Sequence, residues 1–179
     1  MIARALSFAL LSASLTLATE VGNISSSQAS SMETRVNSRN YQFFGFGPAS
    51  LSNTGEEEGM AYHLAWGMSR EVVPHASIRG IVQSDFQPKS GAGIAGAGLG
   101  VLGFLTTSDI SPYLGADLGW GLAWGADATT QFSWGLSAGM QLFRTSSTQL
   151  GLECRLFSLF EKTREGLPMG LSAQLGLYY

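Results

Sequence analysis

The stretch PMGLSAQLGLYY, Pro168 to Tyr179, decides the fold. By parity, Met169, Leu171, Ala173, Leu175, Leu177 and Tyr179 fall on one face, and Gly170, Ser172, Gln174, Gly176 and Tyr178 on the other. Side chains of a strand alternate sides with a period of two, so one face is apolar and the other small and polar. A half-buried strand closing a soluble sheet has this pattern. So does the last strand of a membrane barrel, which closes on itself because lipid tolerates no free edge. The rest of the chain separates the two.

The same unit of alternating residues followed by a short polar turn recurs from Tyr41 onward. In GMAYHLAWGMS, Met60, Tyr62, Leu64, Trp66 and Met68 alternate with Ala61, His63, Ala65, Gly67 and Ser69. PYLGADLGWGLAW sets Leu114, Ala116, Leu118, Trp120, Leu122 and Trp124 against Tyr113, Gly115, Asp117, Gly119, Gly121 and Ala123. QFSWGLSAGMQLF does the same from Gln131 to Phe143, and QLGLECRLF opposes Leu150, Leu152, Cys154 and Leu156 to Gly151, Glu153 and Arg155. Three segments are less regular. HASIRGIVQSD places Ile78 and Val82 opposite Arg79, Gln83 and Asp85; GAGIAGAGLGVLGF (Gly91 to Phe104) and YQFFGFGP (Tyr41 to Pro48) leave their facing open. With the terminal stretch these make about eight strands, the smallest even number in bacterial outer-membrane barrels. The expected fold is all-β, an eight-stranded antiparallel up-and-down transmembrane β-barrel.

The connections then sort by side. Loops at Ala49–Glu58, Phe86–Ser90, Gly125–Thr130 and Ser158–Leu167 fall at one end, and turns at Arg70–Pro74, Leu105–Ser111 and Arg144–Thr148 at the other, with both termini. Aromatic girdles are expected at the two interfaces. Tyr62, Trp120, Trp124, Phe132 and Trp134 are assigned to the outer rim, and Tyr41, Trp66 and Tyr179 to the periplasmic one.

Composition agrees. Charged residues are 13% of the 179, with 45% hydrophobics and 23 glycines, so charge stands at about half its usual quarter. A surface so poor in charge is either hidden or meets something other than water. The net charge of −3 and the lack of a Lys/Arg cluster argue against nucleic acid. Cys154 stands alone, which excludes an internal disulfide and a cysteine zinc site; no metal or cofactor is expected. Residues 1–18 have the layout of a secretory signal peptide: a basic start, an apolar run from Ala5 to Leu17 and small residues at Thr16-Leu17-Ala18. Residues 19–40 read as a flexible periplasmic lead-in and 41–179 as the barrel.

The whole resembles the OmpA/OmpX-type small outer-membrane barrels, through the signal peptide, SPYLGADLGWG (Ser111 to Gly121) and the alternating final strand with its terminal aromatic. That resemblance implies residence in the outer membrane of a Gram-negative bacterium. It also implies that Ala173, Leu175, Leu177 and Tyr179 are an assembly signal read by the outer-membrane insertion machinery.

The interior of so small a barrel is just wide enough for side chains to fill. The inward set includes His63, Arg79, Asp117, Glu153 and Arg155, and buried charges need partners. Arg79 or Arg155 is therefore expected to pair with Glu153 or Asp117, as a polar plug rather than an ion path. A channel or lipid-handling barrel is the alternative. Lipid A deacylases carry Ser and His at short spacing on a strand, and His75-Ala76-Ser77 is similar. Its nearest acid, Glu71, lies across Pro74, so a group to orient the base is not evident and an enzyme is not expected. On the outward face Ala76, Gly80, Ser84, Ala95 and Ala97 form a small-residue flank suited to a homo-oligomer contact. The same small residues also suit barrel curvature.

Overall fold

A computed structural model describes residues 39–54, 60–125, 128–162 and 166–179. The signal peptide, most of the lead-in and the acidic tip at 55–59 lie outside the described residues. Eight strands follow in order: β1 (Asn40–Ser52), β2 (Met60–Val73), β3 (Ala76–Phe86), β4 (Gly93–Phe104), β5 (Ile110–Trp124), β6 (Thr129–Leu142), β7 (Gln149–Leu159) and β8 (Met169–Tyr178). Each pairs antiparallel with the next, and β1 pairs with β8, closing the barrel. Closure leaves no open sheet edge, the condition a sheet must meet in lipid.

Burial follows the side-chain alternation along most strands. β2 alternates exposed and buried from Met60 to Ser69, and β8 from Gly170 to Tyr178. Met60, Leu118 and Leu136 are 64%, 63% and 50% exposed, all on the outer face. Their exposure belongs to a continuous apolar exterior that water would not tolerate. Leu99, Val101, Leu114, Phe132, Leu152 and Leu171 extend that exterior round the barrel.

The two segments of open facing are now placed. In β4, Ile94, Leu102 and Phe104 are buried, while Ala97, Leu99 and Val101 face out. In β1, Phe44 and Phe46 stand opposite Leu177 and Leu175 and share their outward face. Tyr41 therefore faces inward. It is 5% exposed and packs with Phe43, Ala65, Ile81 and Tyr178, which corrects its assignment to the girdle. A strand apolar on both parities gives no facing of its own; the register against β8 sets it. Tyr62, Trp66, Trp120, Trp124, Phe132, Trp134 and Tyr179 lie on the outer face, with the Trp120 and Phe132 rings 4.5 Å apart edge to face.

Several strands run longer than expected. β1 continues to Ser52 rather than stopping at Pro48, β6 begins at Thr129, and β2 continues through Val73, so the β2–β3 turn shrinks to Pro74 and His75. Cross-strand bonding carries each past its polar residues. β7 departs from alternation at its end, where Ser158 is buried between the inward Phe157 and Leu159 and its Oγ donates to the Pro168 carbonyl at 2.8 Å.

Candidate functional site: a polar lumen

Inward positions on β2, β3, β5, β6, β7 and β8 carry a belt of polar side chains. Arg79 on β3 donates to Glu153 Oε2 on β7 at 2.6 Å and to Ser137 Oγ at 3.1 Å, and lies 3.6 Å from Asp117. Arg155 grips both oxygens of Asp117 through Nη2, at 2.6 and 2.7 Å, and its Nε donates to Gln83 Oε1. Tyr113 and Gln174 donate to the two oxygens of Glu153, at 2.6 and 2.8 Å. The two ring nitrogens of His63 face Asp85 Oδ1 at 2.5 Å and Gln174 Oε1 at 3.1 Å. These residues are buried, and the carboxylates of Asp117 and Glu153 each meet an arginine. That is the condition on which charge can be buried at all.

The sequence brings His63, Arg79, Asp117, Glu153 and Arg155 to the inside by parity. It does not reveal that Asp85 joins His63 or that Gln83, Tyr113, Ser137 and Gln174 complete the hydrogen bonding. Parity finds their facing; only the register between distant strands finds their partners.

The space for these long side chains comes from glycines on neighbouring walls. A methyl built on Gly135 would fall 2.7 Å from both Arg155 Nη2 and Asp117 Oδ1, and on Gly139 2.6 Å from the Tyr113 hydroxyl. Gly96 and Gly121 likewise make room for the Phe157 ring and Leu159.

Among the described residues, apolar clusters flank the belt at both ends. Toward the loop end, Ile94, Ala123, Phe157 and Leu159 form an apolar cluster with Leu51 against it. At the end holding the termini, Tyr41, Phe43 and Tyr178 on one side and Leu102, Phe104 and Tyr113 on the other fill the section. Arg144 is buried at the same end. Expected in a solvated turn, it is instead 5% exposed. Phe143 adopts φ 59°, a left-handed conformation that a bulky residue seldom takes, and the chain beyond it turns inward. The Arg144 guanidinium stacks 3.7 Å from the Phe104 ring centre. It donates to Glu71 and to the carbonyls of Thr106 and Pro74, at 3.1, 2.9 and 2.6 Å. One side chain thus ties together the three turns at this end. Outside it, Arg39 donates to the Thr145 carbonyl at 2.8 Å, and the adjacent Tyr41 hydroxyl holds its guanidinium above the ordinary range.

The remaining candidates are placed as follows. His75 Nδ1 faces the Phe104 carbonyl at 3.0 Å, Ser77 is buried in the lumen and Glu71 is engaged by Arg144. Ala76, Gly80, Ser84, Ala95 and Ala97 face outward on β3 and β4, with Ser84 directly opposite Ala95. Leu64, Met68, Trp120 and Leu122 border them. Ala173, Leu175, Leu177 and Tyr179 face outward along β8.

A closed eight-stranded antiparallel barrel with an apolar exterior and a packed polar interior is the fold of the small outer-membrane barrels. Among solved structures the chain is similar to Neisserial surface protein A, with a TM-score of 0.65 at 15% identity over 78% of this chain and 95% of that one. It is similar also to the N-terminal β-barrel domain of Pseudomonas aeruginosa OprF, with a TM-score of 0.52 at 11% identity over 78% and 97%. The outer membrane enzyme PagL gives a TM-score of 0.50 at 13% identity over 77% and 97%. No family model and no curated protein matches the sequence. At such identities the likeness is one of fold, and the fold is shared by an enzyme.

Proposed function

We propose that the chain is a non-catalytic barrel of the Gram-negative outer membrane with a structural or interaction role, exported by a signal peptide cleaved near residue 18. The observation that carries this reading is the pair of ion bridges inside the lumen, Arg79 to Glu153 across it and Arg155 to Asp117 along one wall, with apolar clusters above and below. A conducting pore needs a continuous wetted path, and here charged groups are spent on one another. Reconstitution into planar bilayers tests it. No stable large conductance is expected; a reproducible open channel would favour the narrow-channel reading instead. Turnover of labelled lipopolysaccharide, lost on Ser77→Ala, would reverse the non-catalytic reading.

Ala173, Leu175, Leu177 and Tyr179 would serve the insertion machinery as its recognition strand, and outer-membrane lipids would contact the rest of the exterior. The shallow floor formed by Ser84, Ala95 and Ala97 between Leu64 and Trp120 supports a second copy packing against β3 and β4, since small residues let surfaces approach closely in lipid. Native mass spectrometry in mild detergent should find an oligomer that Ala97→Trp dissociates. A monomer unaffected by that change would end the idea.

A further inference from the structure

The closing seam between β1 and β8 carries one break. Pairing runs from Phe43↔Tyr178 to Phe46↔Leu175, then resumes from Ala49↔Ser172 to Ser52↔Met169; Gly47 and Pro48 drop out. Gln42 and Tyr179 exchange both backbone hydrogen bonds at 2.9 Å. In an antiparallel ladder such pairs recur at every second residue, which puts Pro48 opposite Ala173 in the bonding set. Proline has no N–H, so the ladder gives the Ala173 carbonyl no donor from β1. Gly47 lets that oxygen approach closely: a methyl built there would fall 1.8 Å from it. A Cα–H contact therefore stands in for a hydrogen bond, and such contacts are weaker.

The other ladder of β1, against β2, is unbroken from Asn40 to Ser50, and β4 pairs with β5 without interruption from Gly93 to Phe104. The break also stands beside a run of small outward residues. Ala173 continues in register into Cys154 and Ala138, which with Met140, Leu152 and Leu175 line a shallow groove on the lipid face.

We propose that Gly47–Pro48 is the release point of the barrel, where the β1–β8 seam parts first and reversibly while the other seams stay shut. This seam joins the segments farthest apart along the chain, so its loop-closure cost is the greatest. It is the pairing with least to lose on opening, and the missing hydrogen bond lowers it further. Lipid offers no replacement donor, so the opening stays local.

Residue-resolved hydrogen exchange of the full chain in lipid nanodiscs tests this. The amides of Phe46, Ala173 and Leu175 should exchange about tenfold faster than those of Leu99 and Leu118 in the β4–β5 seam, the ratio one hydrogen bond commands. Pro48→Ala restores the donor; it should erase that difference, and the amide gained at position 48 should itself be protected. Gly47→Ala drives the Ala173 oxygen away and should widen the difference, which gives a second reading if Pro48→Ala does not fold. Equal exchange in the two seams of the unaltered protein, or a difference that neither substitution moves, would overturn the proposal.

Discussion

Two walls of the lumen are built from opposite kinds of residue. β3 and β7 stand across the barrel from each other and carry Arg79, Gln83 and Asp85 on one side, and Glu153, Arg155 and Phe157 on the other. β1 and β4 turn Gly45, Gly47, Gly96, Gly98 and Gly100 to the same interior. Strands of similar length in one sheet thus differ, in their middle stretches, in what they place inside. The difference shows how a narrow barrel is filled. Long side chains brace one diameter, and glycines on the intervening walls give them room. Neither wall packs without the other.

The most severe way to break that complementarity is to remove half of an ion pair. Asp117→Ala leaves Arg155 buried without its carboxylate and should lower stability by about 3–5 kcal/mol, measured by urea unfolding from lipid vesicles. Arg155→Met with Asp117→Leu should recover most of that loss, since an apolar pair of similar size leaves no stranded charge.

Crowding the glycine wall comes next. Gly96→Leu forces a side chain into the Phe157 ring, whose Cζ would lie 2.5 Å from the first added carbon. A cost of about 1–3 kcal/mol is expected. Phe157→Ala in the same chain should relieve part of it, and simple additivity of the two changes would show that the walls do not depend on each other.

Arg144→Ala sharpens the comparison at the end of the barrel, where one residue joins three turns. Loss of its hydrogen bonds and of the Phe104 stacking should cost about 1–2 kcal/mol and lower the temperature at which the folded form loses its fast gel mobility. The smallest change is expected at Gln83. Its Oε1 accepts from Arg155, but its Nε2 has no hydrogen-bond partner among the described residues. Gln83→Met removes one stranded donor but strands the Nε of Arg155 in its place, so the unfolding midpoint should move little, by about 1 kcal/mol.

How much of this was legible in the sequence depends on the strand. β2, β5, β6 and β8 mix large apolar with small or polar residues at a period of two, so parity gives their facing directly. β1 and β4 do not, since Tyr41-Gln42-Phe43-Phe44 is apolar on both parities and Gly96 to Gly100 has little side chain to alternate. Their facing comes from neighbours, and it is the register against β8 that turns Tyr41 inward, away from the girdle. In the lumen the charged residues were legible as inward, but their pairing was only narrowed to alternatives. Arg155 meets Asp117 through a bond 38 residues long in sequence and Gln83 through one of 72, and register alone decides such contacts. Arg144 was not legible at all. Its inward turn depends on the left-handed Phe143, for which phenylalanine gives no local signal.

The single native thiol offers the most direct test of the central claim. Cys154 lies on the outer face of β7, between Ala138 and Ala173 on the neighbouring strands. A nitroxide attached there in lipid vesicles should collide readily with oxygen, which dissolves in the hydrocarbon, and scarcely at all with a water-soluble nickel chelate. The reverse order of accessibility, or a probe shielded from both within packed protein, would mean that this face does not meet lipid and that the exterior has been assigned to the wrong medium.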